Sequence, residues 1–285
     1  MVIELSNAQA SVQIAPDLGA SLLSYSLRDG RQILRPTPDS TDAFQTACYL
    51  LIPWCNRIDD GITLPDGTRQ RIAQTHPDHP LAIHGSGALS EWNVEAKTQE
   101  SVTLSCVCDW PKPFHYRAEV QYALHGDILS VVLTVTHLGD APLPYGIGLH
   151  PWFVRTDKTR LLAKADTWQQ TDARQLPVGD ATVSAANGND FNTLQQPPNG
   201  LIDTAFSGWN GTARLQIDDD LSVTITTEPS LQHYQVYSTG ADADFVCFEP
   251  VCHPINAHNT PGHPGLAVLD HGETLTIAVT LTPEY

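Results

Sequence analysis

No stretch of this chain is apolar for long enough to cross a bilayer as a helix. The opening residues, MVIELSNAQASVQIAPD, contain neither a basic segment nor an apolar run of the kind that directs export. The expected compartment is therefore the cytoplasm, with no membrane partner. Basic residues are scarce, 15 Lys and Arg against 32 Asp and Glu, for a formal charge of −17. A phosphate backbone is held by clustered cations, so nucleic acid is not an expected partner either. The acidity serves solubility and says little about neutral ligands. The six cysteines match no familiar metal spacing, and in a reducing compartment they read as small core or surface residues. His76, His79 and His84 form His-x2-His-x4-His, which is no standard zinc pattern. Pro77 and Pro80 break any helix that could align those rings, so no metal is expected. P-loop, dinucleotide and nucleophile-elbow motifs are missing, which removes the chemistries they serve. Helical periodicity is missing as well: no window of a dozen residues keeps an apolar i, i+3, i+4, i+7 pattern, and 21 prolines and 19 glycines interrupt the chain.

Period-two alternation takes the place of helices. It runs through Val12–Ile14, Leu23–Leu27, Gln32–Leu34, Val102–Cys108, Phe114–Leu124 and Leu129–Val135. It resumes at Ala213–Ile217, Leu221–Ile225, Tyr234–Tyr237, Phe245–Phe248 and Thr274–Leu281. Pro65-Asp-Gly67 lies between Ile62–Leu64 and a return strand near Arg71-Ile72, a hairpin signal. The fold class expected is all-β, a large antiparallel β-sandwich. No repeat or linker divides the chain, so residues 1–285 are expected to form one domain. Residues 155–200 show the least pattern and are expected to be excursions between strands.

Five short patches carry residues suited to chemistry. Tyr145-Gly-Ile-Gly-Leu-His-Pro-Trp-Phe153 sets His150 on a stiff backbone between glycines and aromatics, which suits proton transfer to a bound polar ring. A hydrogen-bonded core histidine would look the same. Arg57, in Pro53-Trp-Cys-Asn-Arg-Ile58, offers a rigid fork of donors to vicinal hydroxyls or to a carboxylate. A structural ion pair explains it equally well. His84 precedes a Gly-Ser-Gly turn, in a loop of the kind where binding residues concentrate. Asp203 lies among apolar residues just ahead of Phe206 and Trp209, where a surface turn carboxylate is the simpler reading. Glu249 terminates the apolar run Phe245–Phe248 and precedes Pro250. Glu is seldom buried alone, and partial burial would raise its pKa towards that of a general base.

In this order and spacing, Asn56-Arg57, His84-Gly85, His150-Pro-Trp-Phe153, Asp203-x-x-Phe206 and Glu249-Pro250, with Pro254 and Asn259 behind, resemble the aldose 1-epimerase (galactose mutarotase) family. The resemblance implies that family's galactose mutarotase-like β-supersandwich with an open sugar cleft. It implies Glu249 as the base that takes the anomeric proton and His150 as the acid that protonates the ring oxygen. Arg57, His84 and Asp203 would hold the sugar, Asn56 would support them, and Trp152, Trp54 and Trp209 would pack on its apolar face. It implies a monosaccharide partner and no cofactor. The chain departs from the best-known members by Pro151-Trp152 after the second histidine and by Glu249-Pro-Val251 in place of Glu-x-Gln, as in a bacterial side branch. Two other readings stay open. One is a mutarotase for a phosphorylated or sulfonated sugar, for which Arg57, Lys112, Arg117 and Arg155 are the nearest cations. The other is a carbohydrate-binding protein without catalysis.

Overall fold

A computed structural model of the chain describes residues 1–187 and 189–285. Among them there is no α-helix, only short 3-10 turns. The first strands are β1 (Ile3–Ser6), β2 (Ala10–Ala15), β3 (Ser21–Leu27), β4 (Gln32–Leu34) and β5 (Cys48–Leu51). Four two-residue strands follow: β6 (Arg57–Ile58), β7 (Ile62–Thr63), β8 (Arg69–Gln70) and β9 (Ala82–Ile83). A meander of β10 (Asn93–Lys97), β11 (Ser101–Cys108), β12 (Tyr116–His125) and β13 (Ile128–His137) comes next. Then come β14 (Leu143–Tyr145), β15 (Gly148–Val154), β16 (Arg160–Leu162), β17 (Thr167–Thr171), β18 (Pro177–Thr182) and β19 (Ile202–Ser207). The chain ends through β20 (Thr212–Asp218), β21 (Leu221–Glu228), β22 (His233–Ser238), β23 (Phe245–Val251), β24 (Ala267–Leu269) and β25 (Thr274–Glu284).

These strands build two large antiparallel sheets. One runs β1-β2-β3-β4-β15-β23-β22-β19-β17-β18, with β5 joined to β15 and β3. The other runs β10-β11-β12-β13-β25-β21-β20-β16. The alternation explains the second sheet directly. Along β12 and β13 every other residue is buried, so one face points inward and the other meets solvent. The buried faces of both sheets supply one apolar cluster, from Val12, Leu22 and Phe153 on one side to Val120, Val131 and Val279 on the other. Buried tyrosine hydroxyls tie the structure across that core. Tyr122 donates to the Ala20 carbonyl and Tyr234 to the Ala163 carbonyl, both at 2.8 Å.

β15 and β23, at the centre of the first sheet, are buried on both faces, and for this reason their sequences do not alternate. Glu249 is the fifth of seven residues in β23, inside the strand and not at its end as the sequence suggested. The β15–β23 ladder pairs Gly148 with Val251 and then Trp152 with Cys247, skipping the residues between. Pro151 and Pro250 lie in that gap, and neither has an N–H to give to a ladder.

Two regions differ from the sequence reading. Residues 155–200 contain β16, β17 and β18, the last two an exposed hairpin on the sheet edge. Their polar composition and solvated faces leave no apolar alternation to read. The hairpin after Ile62 returns at Arg69–Gln70, two residues earlier than Arg71-Ile72.

Asn56 and His84 both adopt left-handed backbone, with φ of 55° and 58°. Gly85 follows at φ 69°, where a Cβ would lie 1.9 Å from the Ile52 carbonyl oxygen. Gly85→Ala should therefore cost about 2–4 kcal/mol, the sum of backbone strain and overpacking. Urea unfolding of the variant beside wild type measures it. A stability within 0.5 kcal/mol of wild type, roughly the scatter of neutral surface changes, would contradict this packing.

Candidate active site

Sheet register assembles the centre of the site. His150 on β15 pairs with Tyr49 on β5. Glu249 on β23 pairs with Gln235 on β22. Tyr237, two residues on, pairs with Cys247 and with Asp203 on β19. Tyr49, His150, Glu249, Tyr237 and Asp203 thus cross one sheet in order. Above them stands the β6–β9 ribbon, which pairs Arg57 with Ile83 and brings Asn56, Arg57 and His84 over the sheet.

Together these elements enclose a cleft of about 330 Å³. That is the small end of the size range of ligand sites, roughly 300–1,000 Å³. Asn56, Arg57, His84, His150, Trp152, Asp203 and Glu249 all line it, so the seven residues singled out in the sequence converge on one cavity.

His150 Nε2 lies 3.1 Å from Glu249 Oε1, and the two residues are 4% and 2% exposed. Burial pushes the two groups towards their neutral forms. It lowers the His150 imidazole to about 3. It raises the Glu249 carboxyl well above its usual range, and the negative charge of Asp203 adds to the rise while Arg57 opposes it. Burial thus disfavours a charge on either group, and a proton shared across the 3.1 Å contact can pass from one to the other, which interchanges acid and base. His150 Nδ1 and Glu249 Oε2 have no hydrogen-bond partner among the described residues.

Aromatic rings hold the imidazole. Tyr49 stacks on His150 with centroids 4.3 Å apart, Trp152 lies 5.7 Å away at 27°, and His84 meets it edge-on at 5.3 Å. His84 has a defined tautomer. Its Nδ1 accepts from the Asn56 backbone N–H at 3.1 Å, so its proton is on Nε2 and available to a ligand. Burial, and then the nearby His150 and Arg57, hold its pKa well below the ordinary value, so the ring is neutral. Asn56 ties the wall together. Its Oδ1 accepts from the Arg57 N–H at 2.8 Å and from its guanidinium at 3.0 Å, while its Nδ2 donates to Gln235 Oε1. Arg57 in turn pairs with Asp203 at 3.0 Å, both largely buried.

The tryptophans divide. Trp54 and Trp209 are 0% and 2% exposed and belong to the core, packed on Phe114 and on Tyr234 with Phe248 respectively. They cannot contact a ligand in the cleft, contrary to the expectation from the sequence. Trp152 does line the cleft, but His150 stacks near its ring and Arg35 covers it at 4.2 Å. Its ring thus packs beside the imidazole at the cleft wall.

The sequence reading missed Gln235, which is 1% exposed beside Glu249 with an Nε2 unpartnered among the described residues, and the cleft residues Tyr49, Tyr237 and Gln175, and it weighed His79 only as a metal ligand. Gln235 sits in the alternating run Tyr234–Tyr237, where a buried amide among aromatics was the available signal. Gly146 and Gly148 admit close neighbours, but those neighbours are the His253 ring and the Pro250–Val251 backbone, not a ligand.

The aldose 1-epimerase family model matches residues 1–282. An uncharacterised Escherichia coli K12 protein, YphB, is 29% identical over 266 residues, 90% of this chain and 91% of its own. A candidate aldose 1-epimerase from Escherichia coli K12 has a crystal structure that superposes with a TM-score of 0.95 at 27% identity, covering 100% of this chain and 99% of that one. A galactose mutarotase-like protein from Clostridium acetobutylicum, 18% identical, shares the fold with a TM-score of 0.86 over 99% of this chain and 95% of its own. With a match across nearly its whole length, and a supersandwich fold in common with these proteins, the chain belongs to the aldose 1-epimerase family.

Proposed function

We propose that the protein is a mutarotase that interconverts the α and β anomers of a hexose. The observation that carries this reading is the 3.1 Å contact between His150 Nε2 and Glu249 Oε1 on the floor of a cleft sized for one small ring. Ring opening of a hemiacetal needs one proton removed from the anomeric hydroxyl and one delivered to the ring oxygen. Both oxygens are bonded to the same carbon, so an acid and a base side by side suit the task. Once the shared proton passes from Glu249 to His150 Nε2, the Glu249 carboxylate takes the hydroxyl proton and the His150 imidazolium supplies one to the ring oxygen. Rotation about C1–C2 and closure with the roles reversed give the other anomer. Membership of the family supports the assignment.

His84, through Nε2–H, and the Arg57–Asp203 pair supply donors and an acceptor for the hydroxyls, with Asn56 holding Arg57 in place. A free hexose is favoured over a phosphorylated or sulfonated one. Arg57 is the only lysine or arginine lining the cleft among the described residues, and Asp203 already neutralises it. Of the other cations near motifs, Arg155 donates to Ser238 and to the Pro197 and Pro198 carbonyls. The acid/base pair distinguishes the proposal from simple sugar binding.

Two-dimensional exchange NMR on glucose and galactose at neutral pH tests the reaction. Wild type is expected to accelerate anomer exchange, and Glu249→Gln to lose about 10²–10⁴-fold of the acceleration. A folded Glu249→Gln protein with wild-type exchange rates would refute the role of Glu249. A second prediction concerns stability. A carboxyl whose folded pKa is raised contributes stability below its unfolded pKa, about 4.3, and loses it as pH rises towards the folded value. Stability of wild type relative to Glu249→Gln should therefore fall as pH rises above about 4.5, by up to about 1.4 kcal/mol per pH unit. Urea unfolding of both proteins from pH 5 to 8 reads this difference. A constant difference would show that Glu249 is ionised in the folded protein throughout.

A further inference from the structure

The β17–β18 hairpin turns at residues 172–176 and carries Gln175 into the cleft wall. Several contacts shape that turn. Asp172 Oδ1 accepts from the Arg174 N–H at 2.8 Å and the Leu176 N–H at 3.0 Å. Gln175 itself is left-handed, at φ 62°. A residue with a Cβ adopts that backbone at a cost, and such strain is found where structure serves a site. The turn is also tied to the segment that follows β6. Arg174 reaches Asp59 with two guanidinium nitrogens, at 2.9 and 3.5 Å. Asp59 lies two residues beyond Arg57, and its backbone is fixed in turn by Asn256 and Asn259. The Gln175 amide, held in this way, makes no hydrogen bond of its own among the described residues. The same is true of the neighbouring cleft side chains Gln45 and His79.

Position gives the amide a task. β17 is the third strand beyond β23, after β22 and β19, or roughly 14 Å across the sheet at about 4.8 Å per strand. Gln175 lines the same cleft as His150 and Glu249, so a hexose with its anomeric carbon at that pair and its ring extending along β22 and β19 would meet the turn with its far side. We infer that Gln175 is a specificity-determining residue that hydrogen-bonds a hydroxyl on the sugar's side opposite the anomeric carbon, and that Arg174, through Asp59, positions it. The inference rests on the proposed reaction for the orientation of the sugar. An amide both donates and accepts, so it recognises a neutral hydroxyl, and it would be left unpaired by a sugar lacking one.

Sugar affinity tests this independently of catalysis. Calorimetric titration with D-glucose, D-galactose and their 2-, 3-, 4- and 6-deoxy analogues would be run on wild type, Gln175→Gly and Arg174→Met. Glycine keeps the left-handed backbone and removes the side chain with its amide. Wild type is expected to bind the better hexose roughly 3- to 10-fold more tightly than one particular deoxy analogue, the value of a hydrogen bond to a hydroxyl. Gln175→Gly should erase that one difference and leave the others. Arg174→Met should reduce the same difference, and the double variant should match Gln175→Gly. An unchanged pattern in Gln175→Gly, or equal weakening of every sugar, would overturn the inference. Sugar bound by wild type without acceleration of anomer exchange would instead contradict the proposed reaction, with the affinity pattern still deciding the role of Gln175. No binding of any sugar by wild type would overturn both.

Discussion

The site depends on one contact made out of water: an imidazole and a carboxyl 3.1 Å apart in the middle of a sheet. Neither group would stay buried alone at low cost. Sharing one proton removes the need for a charge on either. The backbone around them is arranged to allow this. Pro151 and Pro250 follow directly after His150 and Glu249, at the point where the ladder between their strands lapses. A strand that carried its full set of hydrogen bonds there would have no reason to place prolines. The prolines stiffen the segment while Tyr49 and Trp152 confine the imidazole from its sides.

The rest of the cleft is hung from this floor by segments with little regular structure. The β6–β9 ribbon has two residues in each strand, and left-handed residues Asn56 and His84 bound it. Its rigidity comes from side chains. Asn56 joins Arg57 to Gln235, His84 accepts from the Asn56 backbone, and His253 Nε2 accepts from the Cys55 N–H at 3.0 Å. Burial lowers the His253 pKa to about 4, so it remains a neutral acceptor. The sheets thus fix His150 and Glu249, the proposed acid and base, and a network of polar side chains around Arg57 fixes the wall above them. A floor made of strands and a wall made of loops is a common division between chemistry and selectivity.

Much of this was legible in the sequence because it is periodic or rare. The β12–β13 hairpin alternates over twenty residues, and an isolated Glu in an apolar strand or an Arg in a basic-poor chain stands out. What escaped has a different physical character. β17 and β18 are polar edge strands, so burial leaves no imprint on them. Gln235 and Gln175 are neutral amides, whose importance arises from register and turn geometry and not from composition. Trp54 and Trp209 misled for the opposite reason. An aromatic near a site motif looks like a sugar platform, but its large apolar area is buried most favourably in the core, and there these two lie.

The protonation state of His150 is the most direct test of the account. Nitrogen-15 NMR of the imidazole, across pH 3.5 to 8 and with the ring assigned through His150→Gln, reports it without reference to turnover. The account predicts a neutral His150 ring through this range, and an Nε2 resonance that moves when a hexose enters the cleft. A ring that titrates near its ordinary value of about 6.5 would contradict it, because burial would then not be holding the imidazole in its neutral form.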